Sequence, residues 1–369
     1  MRNRLVYTGS LVLAALLLYL ALRGVDISAM ADALRTANYA WIPVLVAVML
    51  LGNLVRAWRW QLLIEALPEI THGQADHAET DVDAPGLPGI KPIFYSVMIG
   101  YMVNFAVPRL GEVARTANLS AQTRLRFSSL LGTVVTERIL DVVVLGIGLG
   151  SVFLLMTGRA AILGDILIAP VAEQLDRISL TAVILIAFTI ALAAFLLYRF
   201  LSGMSENSRK GDGSSGKHSL KPRLRTAFKA FREGMTTILH APGKQRIVWS
   251  TAIMWFLYLL MAYIPFLMLN TAGIYNLSLL DGWIIMIFGA VGILVPLPGG
   301  TGSYHYITIQ ALVYLFAFSH EAAATYAVLC HAAQLVLHVS VGGLCVVLQG
   351  SKIPSLRASA YSAPEKRGL

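Results

Sequence analysis

Residues 293–310 read ILVPLPGGTGSYHYITIQ. Apolar sequence surrounds this stretch, yet residues 296–302 hold two prolines and three glycines. Such a run does not continue a helix, because proline removes a backbone donor and glycine adds backbone freedom. In lipid, freed backbone groups are costly unless protein or water satisfies them. The stretch therefore reads as a break where two half-helices meet inside a membrane. Broken helices of this kind are where many transporters bind their substrate. The alternative is an ordinary turn between two spanning helices, lying at the interface.

A second stretch echoes the first. Val107-Pro108-Arg109-Leu110-Gly111 matches Val295-Pro296-Leu297-Pro298-Gly299 in the pattern V-P-x-x-G. Both follow an apolar run and both lead into helix-compatible sequence. Corresponding interruptions in the two halves of a chain point to an internal repeat around a midplane site.

The totals agree with a membrane setting. The 369 residues are 57% hydrophobic and 13% charged, with mean hydropathy +0.69. Soluble domains carry about 25% charged residues. Several apolar runs approach the roughly 20 residues that cross a bilayer. The expected fold class is an all-α polytopic membrane protein, a helical bundle with two re-entrant, broken-helix hairpins in an inverted repeat. The net charge of +9 would point to nucleic acid in a soluble protein. Here the basic residues cluster in loops, so the positive-inside effect accounts for them and no nucleic-acid partner is expected. Cys330 and Cys345 offer neither metal spacing nor a disulfide framework.

Taken in order, Arg2 and Arg4 precede an apolar run over 5–22. Ala29-Met30-Ala31 resembles a signal-peptidase site, but the run is long for a signal core and Arg23 and Asp26 intervene. A retained first helix is expected. The second span, 41–60, ends with Asn53, Arg56, Arg59 and Trp60. Asn53, Arg56 and Trp60 share one helical face. They read as an interfacial Trp/Arg anchor, with a lipid head-group contact as the alternative. Residues 65–92 form a polar insertion that reads as a flexible loop.

The apolar segment 91–107 is somewhat short for a crossing. Arg109, Glu112 and Arg115 follow at spacings of three and can pair along a helix. In a hairpin that dips into the membrane these charges lie at depth, where an ionisable residue is a functional candidate by default. The span 127–156 carries Glu137, Arg138 and Asp141 within five residues. They form either a salt bridge that lets the helix pass or the polar lining of a cavity.

Residues 158–178 read as a mixed loop and 179–198 as a further span. Residues 199–246 hold eleven Lys or Arg against three Asp or Glu. Within them, 224–239 fits a basic amphipathic helix on the membrane surface. The expected organisation is a first transmembrane half, 1–200, with a hairpin near 93–119, and a basic cytoplasmic loop, 201–246. A second half, 247–349, has a hairpin near 277–318, and a cytoplasmic tail covers 350–369. The Lys/Arg bias puts both termini on the cytoplasmic side of the cell inner membrane, with the two hairpins approaching from opposite faces.

Catalytic signatures are missing from the sequence. It has no P-loop, no H-E-x-x-H and no G-x-S-x-G, and its Gly211-Asp212-Gly213-Ser214-Ser215-Gly216 run reads as the flexible centre of the basic loop rather than a dinucleotide fingerprint. No cofactor and no metal are expected. His331, Gln334 and His338 share a face of the last helix, where lone histidines usually pack against a neighbour. Backbone amides at the start of a half-helix suit an anion such as a lipid phosphate. Gly299, Gly300, Thr301 and Ser303 fit that role. His305 lies beside them, and Arg109 and Arg138 would add positive charge.

At these residues the chain resembles a known family. NFAVPRLGEVAR (104–115), TERILD (136–141) and VPLPGGTGSYH (295–305) look like the flippase-like transmembrane family. That family is similar to the membrane part of the lysylphosphatidylglycerol synthases, the multiple peptide resistance factor proteins. The resemblance implies a bundle with re-entrant segments that moves lipids between leaflets. It carries Pro108, Gly111, Glu112, Arg115, Glu137, Arg138, Asp141, Pro298, Gly299 and Gly300 as motif positions. Many relatives read G-V-x-E after the second break, whereas this chain reads Gly302-Ser303-Tyr304-His305, without the acid. The synthases' acyltransferase-like domain does not follow the last apolar run, so no lysyl transfer is expected.

The function expected is a membrane translocase for a phospholipid or a lipid-linked phosphate or amphiphile, not an enzyme, with the head group bound at the broken helices. Its partners would be membrane lipids, with a separate lipid synthase or glycosyltransferase beside it. The alternatives are an intramembrane lipid-modifying enzyme, and an accessory membrane subunit of a separate synthase.

Overall fold

The computed structural model describes residues 2–71, 86–123, 125–156, 243–295 and 297–349. The expected span 179–198, the surface helix 224–239, most of the basic loop 201–246 and the tail 350–369 lie outside them, as does Pro296. The chain divides into two compact units, Met1–Val152 with Phe231–Leu369, and Phe153–Ala230. The architecture below is that of the first unit.

All the elements among the described residues are helices. Four are long and apolar enough to cross a membrane: Tyr39–Glu65, Phe127–Leu155, Lys244–Met268 and His320–Leu348. We label the helices α1 (Arg2–Leu22), α2 (Ile27–Arg35), α3 (Ile42–Glu65), α4 (Ile90–Ala106) and α5 (Leu110–Gln122). Then come α6 (Phe127–Leu155), α7 (Lys244–Met268), α8 (Leu279–Leu294), α9 (Ser303–Phe316) and α10 (His320–Leu348). The chain is a multi-pass helical membrane protein.

Helices α1 and α2 form a pair bent by 81° at a short break. Asp26 accounts for the restart, because its carboxylate accepts from the amides of Ser28 and Ala29 and satisfies donors a helix start leaves open. Ala29, Met30 and Ala31 therefore lie in a helix rather than in extended chain.

Both expected breaks are present, and each joins two antiparallel helices. In the first hairpin Asn118 donates to Ser96 at 2.9 Å, while Gly111 N donates to Asn104 Oδ1 at 2.7 Å. Partner numbers that fall on one side as they rise on the other define antiparallel packing. In the second hairpin Gly292 lies against Ser303 and Tyr304, and Gly289 against Tyr304 and Thr308. The arms hold 17 and 13 residues, then 16 and 14. At 1.5 Å per residue each arm is about 20–25 Å long, shorter than a hydrocarbon core of about 30 Å.

The matching V-P-x-x-G patterns do different jobs. In the first break the left-handed residue is Arg109, at φ 60°, and Gly111 sits inside α5. A methyl group on Gly111 would collide with the Gly100 carbonyl and the Asn104 side chain. Gly111 thus sets how closely the arms approach. In the second break Gly299, Gly300 and Gly302 all hold positive φ, which a side chain resists.

The tips of the two hairpins meet. Phe105 packs on Gly299, and Arg109 Nη2 donates to the Leu294 carbonyl at 3.0 Å. That carbonyl ends α8, where the helix dipole favours a cation. Around the hairpins, Trp60, Ile64, Leu119, Leu130 and Val134 form one buried cluster, and Leu45, Met98, Ile264 and Leu337 belong to another.

Gly111→Ala overpacks the first hairpin and is expected to destabilise the protein by about 1–3 kcal/mol. Gly146, in α6, has nothing within 4 Å of an added methyl, so Gly146→Ala should leave stability unchanged or raise it by up to about 1 kcal/mol. Thermal unfolding of the two purified variants in detergent checks the contrast.

Candidate functional site

Three helices far apart in sequence bring seven charged side chains together. Arg56 and Arg59 come from α3, Glu112 and Arg115 from α5, and Glu137, Arg138 and Asp141 from α6. A spacing of three or four keeps each set on one helical face.

Glu137 is the centre. Its Oε1 lies 3.1 Å from Arg56 Nε and 3.3 Å from Arg59 Nη2, and its Oε2 accepts from Arg115 Nη1 at 3.0 Å. Asp141, one turn on, lies 2.8 Å from Arg56 Nη2 and 2.7 Å from Arg59 Nη2. Arg138 reaches Glu112 at 3.2 Å and Asp141 at 3.6 Å. The Glu137 and Arg59 side chains are 0% exposed, whereas Arg138 is 41% exposed and Glu112 24%. The cluster is therefore buried at its heart and open at its Arg138–Glu112 rim.

By helical rise, Glu137 and Asp141 lie about 15 and 21 Å from the start of α6, well inside a helix of 29 residues. Four guanidiniums face three carboxylates among the described residues. Counted as ionised, they leave one net positive charge.

The donor set is also incomplete. Arg115 is 3% exposed, and its guanidinium lies 4.7 Å over the Trp60 ring. Its Nη1 holds Glu137, but Nε and Nη2 have no hydrogen-bond partner. Those two N–H groups form one planar edge of the guanidinium, the fork that grips two oxygens of a carboxylate or phosphate. Arg138 Nε and Glu112 Oε2 are also without a hydrogen-bond partner. A cavity of about 10 Å³ lies here, lined by Arg56, Tyr101, Asn104, Glu112, Arg115 and Arg138 among others. Its size is about that of one water.

A line of rings leads from the cluster to the second break. Arg56 donates to the Tyr101 hydroxyl. Tyr101 stacks on His338 with centroids 4.4 Å apart, and Phe105 lies 6.0 Å from His338 and 5.8 Å from His331. His331 Nε2 is 3.2 Å from Thr301 Oγ1, and its ring is 4.7 Å from that of His305.

The second break is folded on itself. Gly300 N and Thr301 N donate to the carbonyls of Leu297 and Pro298, and Gly302 N donates to His305 Nδ1. Ser303 Oγ donates to the Gly292 carbonyl at 2.7 Å. Three of the amides expected to cradle an anion, those of Gly300, Thr301 and Gly302, are thus engaged within the loop. Of the eleven residues singled out from sequence, Glu112, Arg115, Glu137, Arg138 and Asp141 assemble into the cluster. Gly299, Gly300, Thr301, Ser303 and His305 form the second tip, and Arg109 joins the tips from an exposed position. Arg109 and Glu112 do not pair with Arg115 along α5. Glu112 turns to Arg138 and Arg115 to Glu137.

Arg56 and Arg59 are the residues that the sequence reading misplaced. They were expected at the interface because the span was read as 41–60. Helix α3 runs to Glu65, which puts Arg59 and Arg56 about 9 and 14 Å inside its end by helical rise. The available signal was the charge balance: two guanidiniums near Trp60 whose helix carries no acid before its last residue, Glu65, and two acids on α6.

A helical bundle with paired hairpins and a buried, net-positive ion-pair cluster defines a polytopic membrane protein with a charged interior site. The chain belongs to the family described as the lysylphosphatidylglycerol synthase TM region, which it matches over residues 7–342. That membership makes it a membrane protein linked to lipid metabolism. No curated protein and no solved structure matches the chain.

Removing one partner of a buried ion pair leaves the others uncompensated. Glu137→Ala is expected to destabilise the protein by about 3–5 kcal/mol. Asp32 and Arg35 form an exposed pair, with side chains 69% and 80% exposed, and Arg35→Ala should cost less than about 1 kcal/mol. Denaturant or thermal unfolding in detergent measures both.

Proposed function

We propose that this protein is a lipid translocase which binds the anionic part of a phospholipid or lipid-linked phosphate at the Arg115–Glu137 cluster. One observation carries the reading: a buried guanidinium fork without a partner, inside a cluster with surplus positive charge. A group of that kind in an apolar setting favours a ligand with two oxygens and negative charge.

Each hairpin arm is shorter than a full crossing, which supports re-entrant hairpins that leave a path through the bundle. The Glu112–Arg138 rim is partly exposed and is the gate for a head group. Loading needs that pair to part, because the cavity between them is smaller than a phosphate. The carboxylates favour transport over chemistry. Glu137 and Asp141 each face three guanidiniums, so neither is free to carry a proton to and from a substrate. A cell inner membrane location with cytoplasmic termini, opposite entry of the hairpins, and a synthase or glycosyltransferase nearby complete the reading.

The test is movement of fluorescent phospholipid and polyprenyl-phosphate analogues between leaflets of proteoliposomes. The parent chain should speed at least one of them over protein-free vesicles. Arg115→Lys keeps the charge but loses the fork, and should slow that movement about tenfold or more. Arg35→Gln should not change it. Movement equal in the parent and Arg115→Lys, with both shown folded, takes Arg115 out of the path.

A further inference from the structure

The described residues place one surplus positive charge in a cluster that is buried at its heart and open at one rim, and the size of that surplus selects a ligand. We infer that the site takes a phosphodiester head group carrying one net negative charge, in preference to a phosphomonoester, a zwitterion or a cationic head group. This rests on the translocase reading and adds the substrate class to it.

The count comes from named groups. Arg56, Arg59, Arg115 and Arg138 each carry a guanidinium, which stays protonated in proteins. Glu112, Glu137 and Asp141 each lie within 3.3 Å of at least one of them. A ligand with a single negative charge brings the buried assembly to neutrality. A phosphomonoester carries about −1.5 to −2 at neutral pH and would leave negative charge in excess. A zwitterion would leave the positive charge uncompensated, and a cationic head group would add to it. An unbalanced buried charge is the expensive state.

The loose hydrogen-bonding atoms fit the same ligand. The Arg115 fork, with Nε and Nη2 free, matches the two unesterified oxygens of a phosphodiester. Glu112 Oε2, also without a hydrogen-bond partner, is an acceptor at the rim. It suits a hydroxyl on the alcohol of the head group.

The experiment uses the full chain in proteoliposomes with acyl-labelled phosphatidylglycerol, phosphatidic acid and phosphatidylcholine. Phosphatidylglycerol should move more than about tenfold faster than either of the others, because an unbalanced buried charge costs more than a factor of ten represents. The ranking should follow the charge of the site. Glu112→Gln raises the surplus by one and should shift preference towards phosphatidic acid. Arg138→Gln removes the surplus and should shift it towards phosphatidylcholine. Both side chains are partly exposed, so both variants are expected to fold, which size-exclusion chromatography and thermal unfolding verify.

Equal rates for the three lipids, or a ranking that neither variant alters, overturns the charge rule and leaves translocation standing. No movement of any lipid overturns translocation itself. Calorimetric titration of the detergent-solubilised chain with the dihexanoyl forms then decides the charge rule separately. Tighter binding of phosphatidylglycerol supports it, and equal affinities overturn it.

Discussion

The structure hangs on the carboxylate of Glu137. It is fully buried, and three guanidiniums from two other helices converge on it. A carboxylate in that position without its partners is not tolerated in an apolar interior, and neither are the arginines without it. The ion pairs therefore fix where α3, α5 and α6 stand relative to one another. Arg115 reaches Glu137 only because α5 packs tightly on α4, and that packing depends on the bare backbone of Gly111 against Gly100. A glycine contact at one level of the first hairpin thus sets the charge geometry at the next. Ion pairs of this kind are weak evidence for extra stability, since apolar replacements of equal volume often do as well. They are better read as a device that specifies a geometry.

The hairpins carry local strain that the ion pairs do not explain. Arg109 holds a left-handed backbone without being glycine, at a cost of about 1–2 kcal/mol. Its side chain caps the end of α8 by donating to the Leu294 carbonyl. The strain at one tip therefore positions a cation against the freed carbonyls of the other. On the second tip the same need for positive φ is met by three glycines, and the amides of Gly300 and Gly302 turn inward to the Leu297 carbonyl and to His305. One tip is closed by its own backbone, and the other reaches across to hold it.

How far the sequence alone leads follows from what each signal measures. Apolar length gave the long helices within a few residues, and Pro–Gly runs gave both breaks, because these are local constraints on the backbone. The hairpin near 93–119 became Ile90–Gln122, and the one near 277–318 became Leu279–Phe316 with its cap. Five of the eleven site residues assemble because charges in apolar sequence have few other places to go. What the sequence did not show is convergence. Arg56 and Arg59 look like interfacial anchors along one helix, and only the packing of α3 on α4 and α6 turns them inward. The amides after Pro298 look like an anion cradle, and only the folded loop reveals that those of Gly300, Thr301 and Gly302 have internal partners. The repeat suggested by V-P-x-x-G is another such limit. Two glycines at equal spacing serve close packing in one copy and a left-handed turn in the other.

A purely structural ion-pair network has a simple optimum: equal numbers of opposite charges, with every donor and acceptor used. This cluster departs from that optimum in two ways that point in the same direction. It has one guanidinium more than it has carboxylates, and the unpaired donors include the side-on fork of Arg115, with Nε and Nη2 together. The Arg115 fork, Arg138 Nε and Glu112 Oε2 belong to residues that line the cavity beside the partly exposed Glu112–Arg138 rim, while Arg59 Nε is also left without a hydrogen-bond partner at the sealed Glu137 end. The cluster therefore ties three helices together through Glu137 and keeps open donors where a ligand can reach it.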